Sequence, residues 1–144
     1  MNNKVFLKIQ NEHKRPGVVV LCPITRMSHD FVISWTKLLN TIEISKVSKL
    51  VIIDKSGTNL VREFFYKNWK IESTELIIVE RPRNESIFDS QLGIELDSNL
   101  WIMQLHDDDD WDGCIDLPKD VSKDSLICFN FFISHGENIR AIDF

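Results

Sequence analysis

Gly17 to Leu39 reads GVVVLCPITRMSHDFVISWTKLL, and its two halves follow different periods. From Val18 to Cys22 the apolar residues run without a break and are mostly β-branched, which is the pattern of a strand buried on both faces. Pro23 ends that run. Ser28 then offers a hydroxyl N-cap, and Phe31, Trp35, Leu38, Leu39 and Ile42 recur at helical spacing. A buried strand feeding an amphipathic helix is the opening of a β-α-β unit.

The same unit recurs in type downstream. KLVIID, Lys49 to Asp54, is a second short buried strand, and Thr58 is placed to cap a helix with Leu60, Val61, Phe64, Phe65 and Trp69 on one side. TELIIVERP, Thr74 to Pro82, is a third strand. It is followed by NESIFDSQLGIELDS, Asn84 to Ser98, which predicts a helix with Phe88, Leu92 and Leu96 four apart and a soft point at Gly93. LWIMQL, Leu100 to Leu105, is the fourth strand. This alternation predicts an α/β fold of three layers, a mainly parallel sheet with helices on both faces joined by right-handed crossovers. Beyond Pro118 the segment Ser125 to Phe144 reads as two strands around a Gly136-Glu137-Asn138 turn, a C-terminal hairpin.

At 144 residues the chain suits one domain, able to bury roughly two-thirds of its unfolded surface. The net charge of −5, from 17 basic and 22 acidic residues, runs opposite to what a phosphate backbone attracts, so nucleic acid is set aside as a partner. Cys22, Cys114 and Cys128 are odd in number and lack CxxC spacing, which argues against a disulfide framework or zinc knuckle. No apolar h-region opens the chain and no segment has the length of a membrane span. These features predict a reducing, cytoplasmic setting, in solution or at the membrane periphery. Asn84-Glu85-Ser86 fits a glycosylation pattern, but without a secretion signal it reads as a helix-capping segment.

The fourth strand delivers four consecutive carboxylates, Asp107 to Asp110, between Trp101 and Trp111. In a parallel sheet, ligands bind outside the carboxyl ends of the strands, where PITR, DKSG, ERPRN and HDDDD all emerge. A run of acids is ordinarily a solvated loop. One that follows a buried strand without a spacer is best relieved by a hard divalent cation, Mg²⁺ or Mn²⁺, which takes oxygen ligands and leaves positions for substrate phosphates. A calcium loop is a second reading, since Asp108, Asp110, Asp112 and Gly113 match D-x-D-x-D-G. That match fails at Lys119, where a bidentate Glu is required, and Pro118 precedes it. A phosphotransferase with an aspartate nucleophile after its first strand is a third, but that place holds CPITR. Neither GxxxxGK[ST] nor GxGxxG occurs.

Taken together, an opening strand with P-x-x-R, a second strand ending in Asp, a third unit retaining a Gly, and an Asp-rich loop closed by Trp resemble the donor-binding half of GT-A glycosyltransferases, the family-two-like enzymes. The resemblance covers about Gly17 to Pro118. It implies a nucleotide-diphospho-sugar transferase-like fold and a metal-dependent glycosyltransferase moving a sugar from a UDP- or GDP-sugar to a glycan or other hydroxyl acceptor. Pro23, Thr25 and Arg26 then correspond to the loop enclosing the nucleotide, and Asp54 to the carboxylate recognising base or ribose. Arg83, with Arg81 beside it, corresponds to positive charge for the diphosphate, and Asp108 to a donor contact. The loop looks like a DxD element holding Mn²⁺ or Mg²⁺, with Asp108 and Asp110 as the implied pair and Asp107 and Asp109 as alternates. His106 stands where a further Asp is common, and DSQLG, Asp89 to Gly93, departs from the family's A-R-N-x-G.

In that family the general base lies in a later, acceptor-binding half, and this sequence stops at Phe144 with only His135, Glu137 and Asp143 as late candidates. The expectations are therefore a minimal transferase completed by a partner or second copy, a noncatalytic nucleotide-sugar-binding or interaction domain, or a piece of a longer enzyme. An exposed sheet edge after the last strand would favour a homo-oligomer.

Overall fold

The structure is a computed structural model that describes residues 4–9, 17–41, 47–96, 100–109, 111, 131–135 and 138–142. Its strands are β1 (Lys4–Ile9), β2 (Val18–Ile24), β3 (Val47–Asp54), β4 (Glu75–Glu80), β5 (Trp101–Gln104), β6 (Phe131–His135) and β7 (Asn138–Ile142). Its helices are α1 (His29–Leu39), α2 (Leu60–Asn68) and α3 (Ile87–Ser90). No helix among the described residues is long and apolar enough to cross a membrane.

Five strands form one sheet in the order β1-β4-β3-β2-β5, in which β2, β3, β4 and β5 are parallel and β1 runs antiparallel to β4. The mixed α/β class is therefore as expected. β6 and β7 pair antiparallel as a separate two-stranded sheet, from Phe131↔Ile142 to His135↔Asn138. Gly136 and Glu137, the residues read as the turn between them, lie outside the described residues.

Successive units step outward from β2 to β3 to β4, and right-handed connections then place α1 and α2 on the same face. The side chains agree. Val18, Val20, Cys22, Ile24, Leu50, Ile52, Leu76 and Ile78 meet Phe31, Trp35, Leu38, Val61, Phe64 and Phe65 in one cluster. Phe31 stacks on Trp35 with centroids 5.5 Å apart, and Trp35 meets Phe65 edge-on at 5.4 Å, so the two helices are joined through their rings. Ser28 caps α1 as expected, its hydroxyl accepting from the Phe31 amide at 3.1 Å. For α2 the cap position falls on Asn59 rather than Thr58, whose hydroxyl accepts from Leu60 N at 3.4 Å. Leu60, expected on the apolar side, is exposed.

The chain then reverses direction, returning from β4 across the sheet to β5 on the other side of β2. Val19, Leu21, Val51 and Ile53 line this second face, and Ile94, Leu96 and Leu100 of the returning segment pack on them. The helix expected over 84–98 is here a correction, because α3 spans only Ile87–Ser90, capped by Ser86. Buried Arg81 supplies the reason. Its Nε donates to Ser90 O and its Nη2 to Leu92 O, both at 2.9 Å. Those carbonyls would otherwise accept from Ile94 and Leu96 in a continuing helix. Gly93 completes the exit at φ +76°.

β1 is an element missed in the sequence, where the first residues read as a polar lead. Lys4-Val5-Phe6-Leu7-Lys8-Ile9 does carry strand-forming residues between lysines, and lysines suit the outermost strand of a sheet.

Candidate functional site at the carboxyl edge of the sheet

Connections leave β2 towards β3 and arrive at β5 from the opposite side, so the carboxyl ends of β2 and β5 flank the point where the strand order reverses. In open parallel sheets such a point is the usual ligand position. The segment Pro23–Arg26 lies in the middle of this edge. Ile24 pairs with Asp54 on one side, and the loop beyond β5 stands on the other.

Pro23 fits its position through the missing amide proton. Leu21 O accepts from Leu105 N and Ile24 O from Lys55 N, so backbone groups alternate between the two neighbours and the Pro23 nitrogen faces the β5 side. The ladder to β5 ends at Leu21, so no donor is required of Pro23.

One carboxylate oxygen holds the two loops together. Asp107 Oδ2 accepts from Thr25 N at 2.9 Å, from Thr25 Oγ1 at 2.9 Å and from Arg26 N at 3.4 Å. Asp109 is used locally, its Oδ2 accepting from His106 N at 2.8 Å while its own amide donates to His106 O at 3.2 Å. His106 thus enters a turn through its backbone. Asp108, at the tip of that turn, is exposed. Asp110, Asp112, Asp116 and Lys119, named for the metal pair or the calcium loop, lie outside the described residues, as do Glu137 and Asp143.

Four aspartates repel, and the bonds from Thr25 and Arg26 offset that repulsion for Asp107. Asp107→Ala is expected to cost about 2 kcal/mol in urea unfolding, since hydrogen bonds to a charged group each contribute about 1.5–3 kcal/mol and some charge repulsion is relieved. Asp107→Asn keeps an acceptor oxygen and is expected to lose less than half as much. Equal losses would mean that charge, not the three bonds, holds the loops.

Asp54, at the end of β3, is buried. Its Oδ1 accepts from Ser56 N at 3.0 Å and from Ser56 Oγ at 2.6 Å, an Asx-type turn helped by Gly57 at φ +70°. Its Oδ2 has no hydrogen-bond partner, and Arg62 Nη1 lies 3.8 Å away. Arg62, which also donates to Asn59 Oδ1, is a neighbour the sequence reading did not anticipate. Its position as the third residue of α2, in the first turn after the DKSG segment, was the available signal.

The arginines expected near a diphosphate separate. Arg81 is buried and spends its guanidinium on the Ser90 and Leu92 carbonyls, while Arg83 is exposed on the turn after β4. Arg26 is exposed beside Asp107.

No family model, curated protein or solved structure matches this chain. The chemistry of the edge is therefore read from its own residues. Cys22, buried beneath the loop, is no nucleophile, because burial first and then the charges of Asp107 and Asp109 push its thiol pKa far up. Among the described residues no three His, Cys, Asp or Glu side chains converge as a cation cage. A Mg²⁺- or Mn²⁺-type ion bound jointly with substrate phosphates needs only one or two protein carboxylates. The exposed, hard oxygen donors of Asp108 fit that more modest demand.

Proposed function

We propose that the chain is a GT-A-like nucleotide-sugar-binding domain, with the three-layer arrangement of that fold, that serves sugar transfer from a UDP- or GDP-sugar to a glycan or other hydroxyl acceptor. The observation that carries this reading is the meeting of the Asp-rich loop with Pro23–Arg26 at the point of strand-order reversal, with Asp54 on the neighbouring strand end.

Each residue then has a separate task. Asp54 Oδ2, an acceptor without a hydrogen bond, takes an N–H of the base or a ribose hydroxyl once Arg62 swings aside. Thr25 and Arg26 shape the wall between base and diphosphate, held by Asp107. Asp108, with Asp110, holds Mn²⁺ or Mg²⁺ against the diphosphate. When bound, the ion neutralises charge gathering on the departing nucleoside diphosphate.

Release of UDP or GDP from the corresponding sugar nucleotides, measured with Mn²⁺ and a panel of hydroxyl acceptors, tests the transferase reading. The expected outcome is metal-dependent release that rises with a suitable acceptor. Donor binding without release would identify a noncatalytic domain of the same design.

A further inference from the structure

Asp54 is 1% exposed, and its two carboxylate oxygens are engaged differently. Oδ1 accepts twice, from Ser56 N at 3.0 Å and from Ser56 Oγ at 2.6 Å. That hydroxyl is itself held, lying 3.1 Å from Thr58 Oγ1 and accepting from Thr58 N at 3.3 Å. A carboxylate oxygen has about two lone pairs, so Oδ1 has no acceptor capacity left. Oδ2 is also withdrawn from water and has no hydrogen-bond partner. Arg62 Nη1, 3.8 Å away, lessens the cost of the buried charge but stands beyond hydrogen-bond reach. A buried acceptor left without a donor is penalised, and a ligand N–H removes that penalty.

Arg62 Nη2 donates to Asn59 Oδ1 at the N-terminus of α2, which tethers the guanidinium beside Asp54. Displaced from Oδ2 by an entering N–H, it remains next to the entrant as a donor. The two side chains therefore offer one acceptor with donors beside it. Complementary to that pattern is an N–H flanked by carbonyl oxygens, the imide edge shared by uracil and thymine. Guanine also has a ring N–H beside a carbonyl, but an exocyclic amine stands on its other side and needs a second acceptor. The other oxygen of Asp54 would supply it, and Ser56 has filled that oxygen. Cytosine would turn a bare ring nitrogen to Oδ2, acceptor against acceptor.

We infer that Asp54, Ser56 and Arg62 select an imide base, so that the nucleotide taken is a uridine or thymidine diphosphate rather than a guanosine or cytidine one. Resting on the donor reading above, this selection sets GDP-sugars aside. A site built to bond a particular N–H rejects analogues lacking it far more strongly than an apolar pocket rejects a missing methylene, because the buried partner is left unpaired.

The test titrates UDP, dTDP, GDP, CDP and 3-methyl-UDP into the full chain with Mn²⁺ by calorimetry. Uridine, 3-methyluridine and guanosine are followed alongside by saturation-transfer NMR. The expected result is that UDP or dTDP binds at least tenfold more tightly than GDP and CDP, and that methylation of the imide nitrogen costs at least tenfold. Comparison of UDP with dTDP separates the two imide bases. In Asp54→Asn the Ser56 amide keeps the side-chain oxygen on its own side, so an amide donor replaces Oδ2. Preference should then move from UDP towards CDP, a change that a merely structural loss would not produce. GDP or CDP binding as tightly as UDP and dTDP, or 3-methyl-UDP binding without loss, overturns the imide selection and leaves the donor reading standing. Uridine binding that methylation abolishes, with no gain from the diphosphate or Mn²⁺, upholds the selection and overturns the donor reading. No binding of any of these ligands overturns both. Should Asp54→Asn not fold, the methylated ligands decide in the parent.

Discussion

Trp35→Ala is expected to destabilise the protein by about 3–5 kcal/mol, the usual range for emptying a large aromatic site. Trp35 is 1% exposed and sits where α1, α2 and the sheet meet, in contact with Phe31 and Phe65. Its loss removes buried apolar surface and leaves Phe31 and Phe65 with Phe64 as their remaining ring neighbour, at 6.0 Å and 5.3 Å. In thermal unfolding the midpoint should fall by on the order of 10 °C. Tyr66→Ala is the matched control, because Tyr66 lies on α2 but is 76% exposed, and it should shift stability by less than about 0.5 kcal/mol. Comparable losses at the two positions would mean that the ring cluster is not what binds the helices to the sheet.

The double change Asp108→Ala, Asp110→Ala carries the largest expected functional effect, loss of metal-dependent nucleotide binding below detection. The exposed Asp108 contributes no contact to either apolar cluster, so the unfolding midpoint should stay within a few degrees of the parent. Removing two of four adjacent like charges also relieves repulsion, which acts in the direction of stability. Asp107 is left in place deliberately, because its Oδ2 is occupied by Thr25 and Arg26 and its removal would disturb the loops themselves. Unchanged nucleotide affinity in the double variant would remove the metal from the account.

What was legible in the sequence follows a physical division. Buried strands announce themselves through unbroken β-branched runs, and Val18–Ile24, Val47–Asp54 and Glu75–Glu80 were read close to their observed limits. Helix α1 carried both its period and its cap in local sequence. The failures came where distant residues decide. Leu92 and Leu96 keep helical spacing with Phe88, yet Arg81, from the preceding strand end, takes the carbonyls such a helix would use. β1 depends on pairing with β4, about 70 residues away, and its own six residues give only a weak signal.

The same division runs through the candidate site. That Asp54 and the aspartate loop would share one edge was readable, because a β-α-β alternation fixes which strand ends face the same way. The separate duties of the aspartates were not. Asp107 bonds Thr25 across 82 residues, and nothing in four identical letters distinguishes the one that ties loops from the one that faces solvent. Likewise Arg81 and Arg83 look equivalent in sequence, but one is buried under the returning chain and the other is exposed. Alternation along β3 decides that Asp54 faces the helices while Lys55 faces away from them, which one-letter proximity conceals.

The central claim is that this carboxyl edge binds a nucleoside diphosphate together with a divalent cation. Calorimetric titration of UDP and of GDP into the purified chain, first with Mn²⁺ and then with EDTA, tests it most directly. The account predicts saturable binding of one of the two nucleotides that weakens at least tenfold when the metal is removed. Absence of binding by both nucleotides in the presence of Mn²⁺ would contradict it.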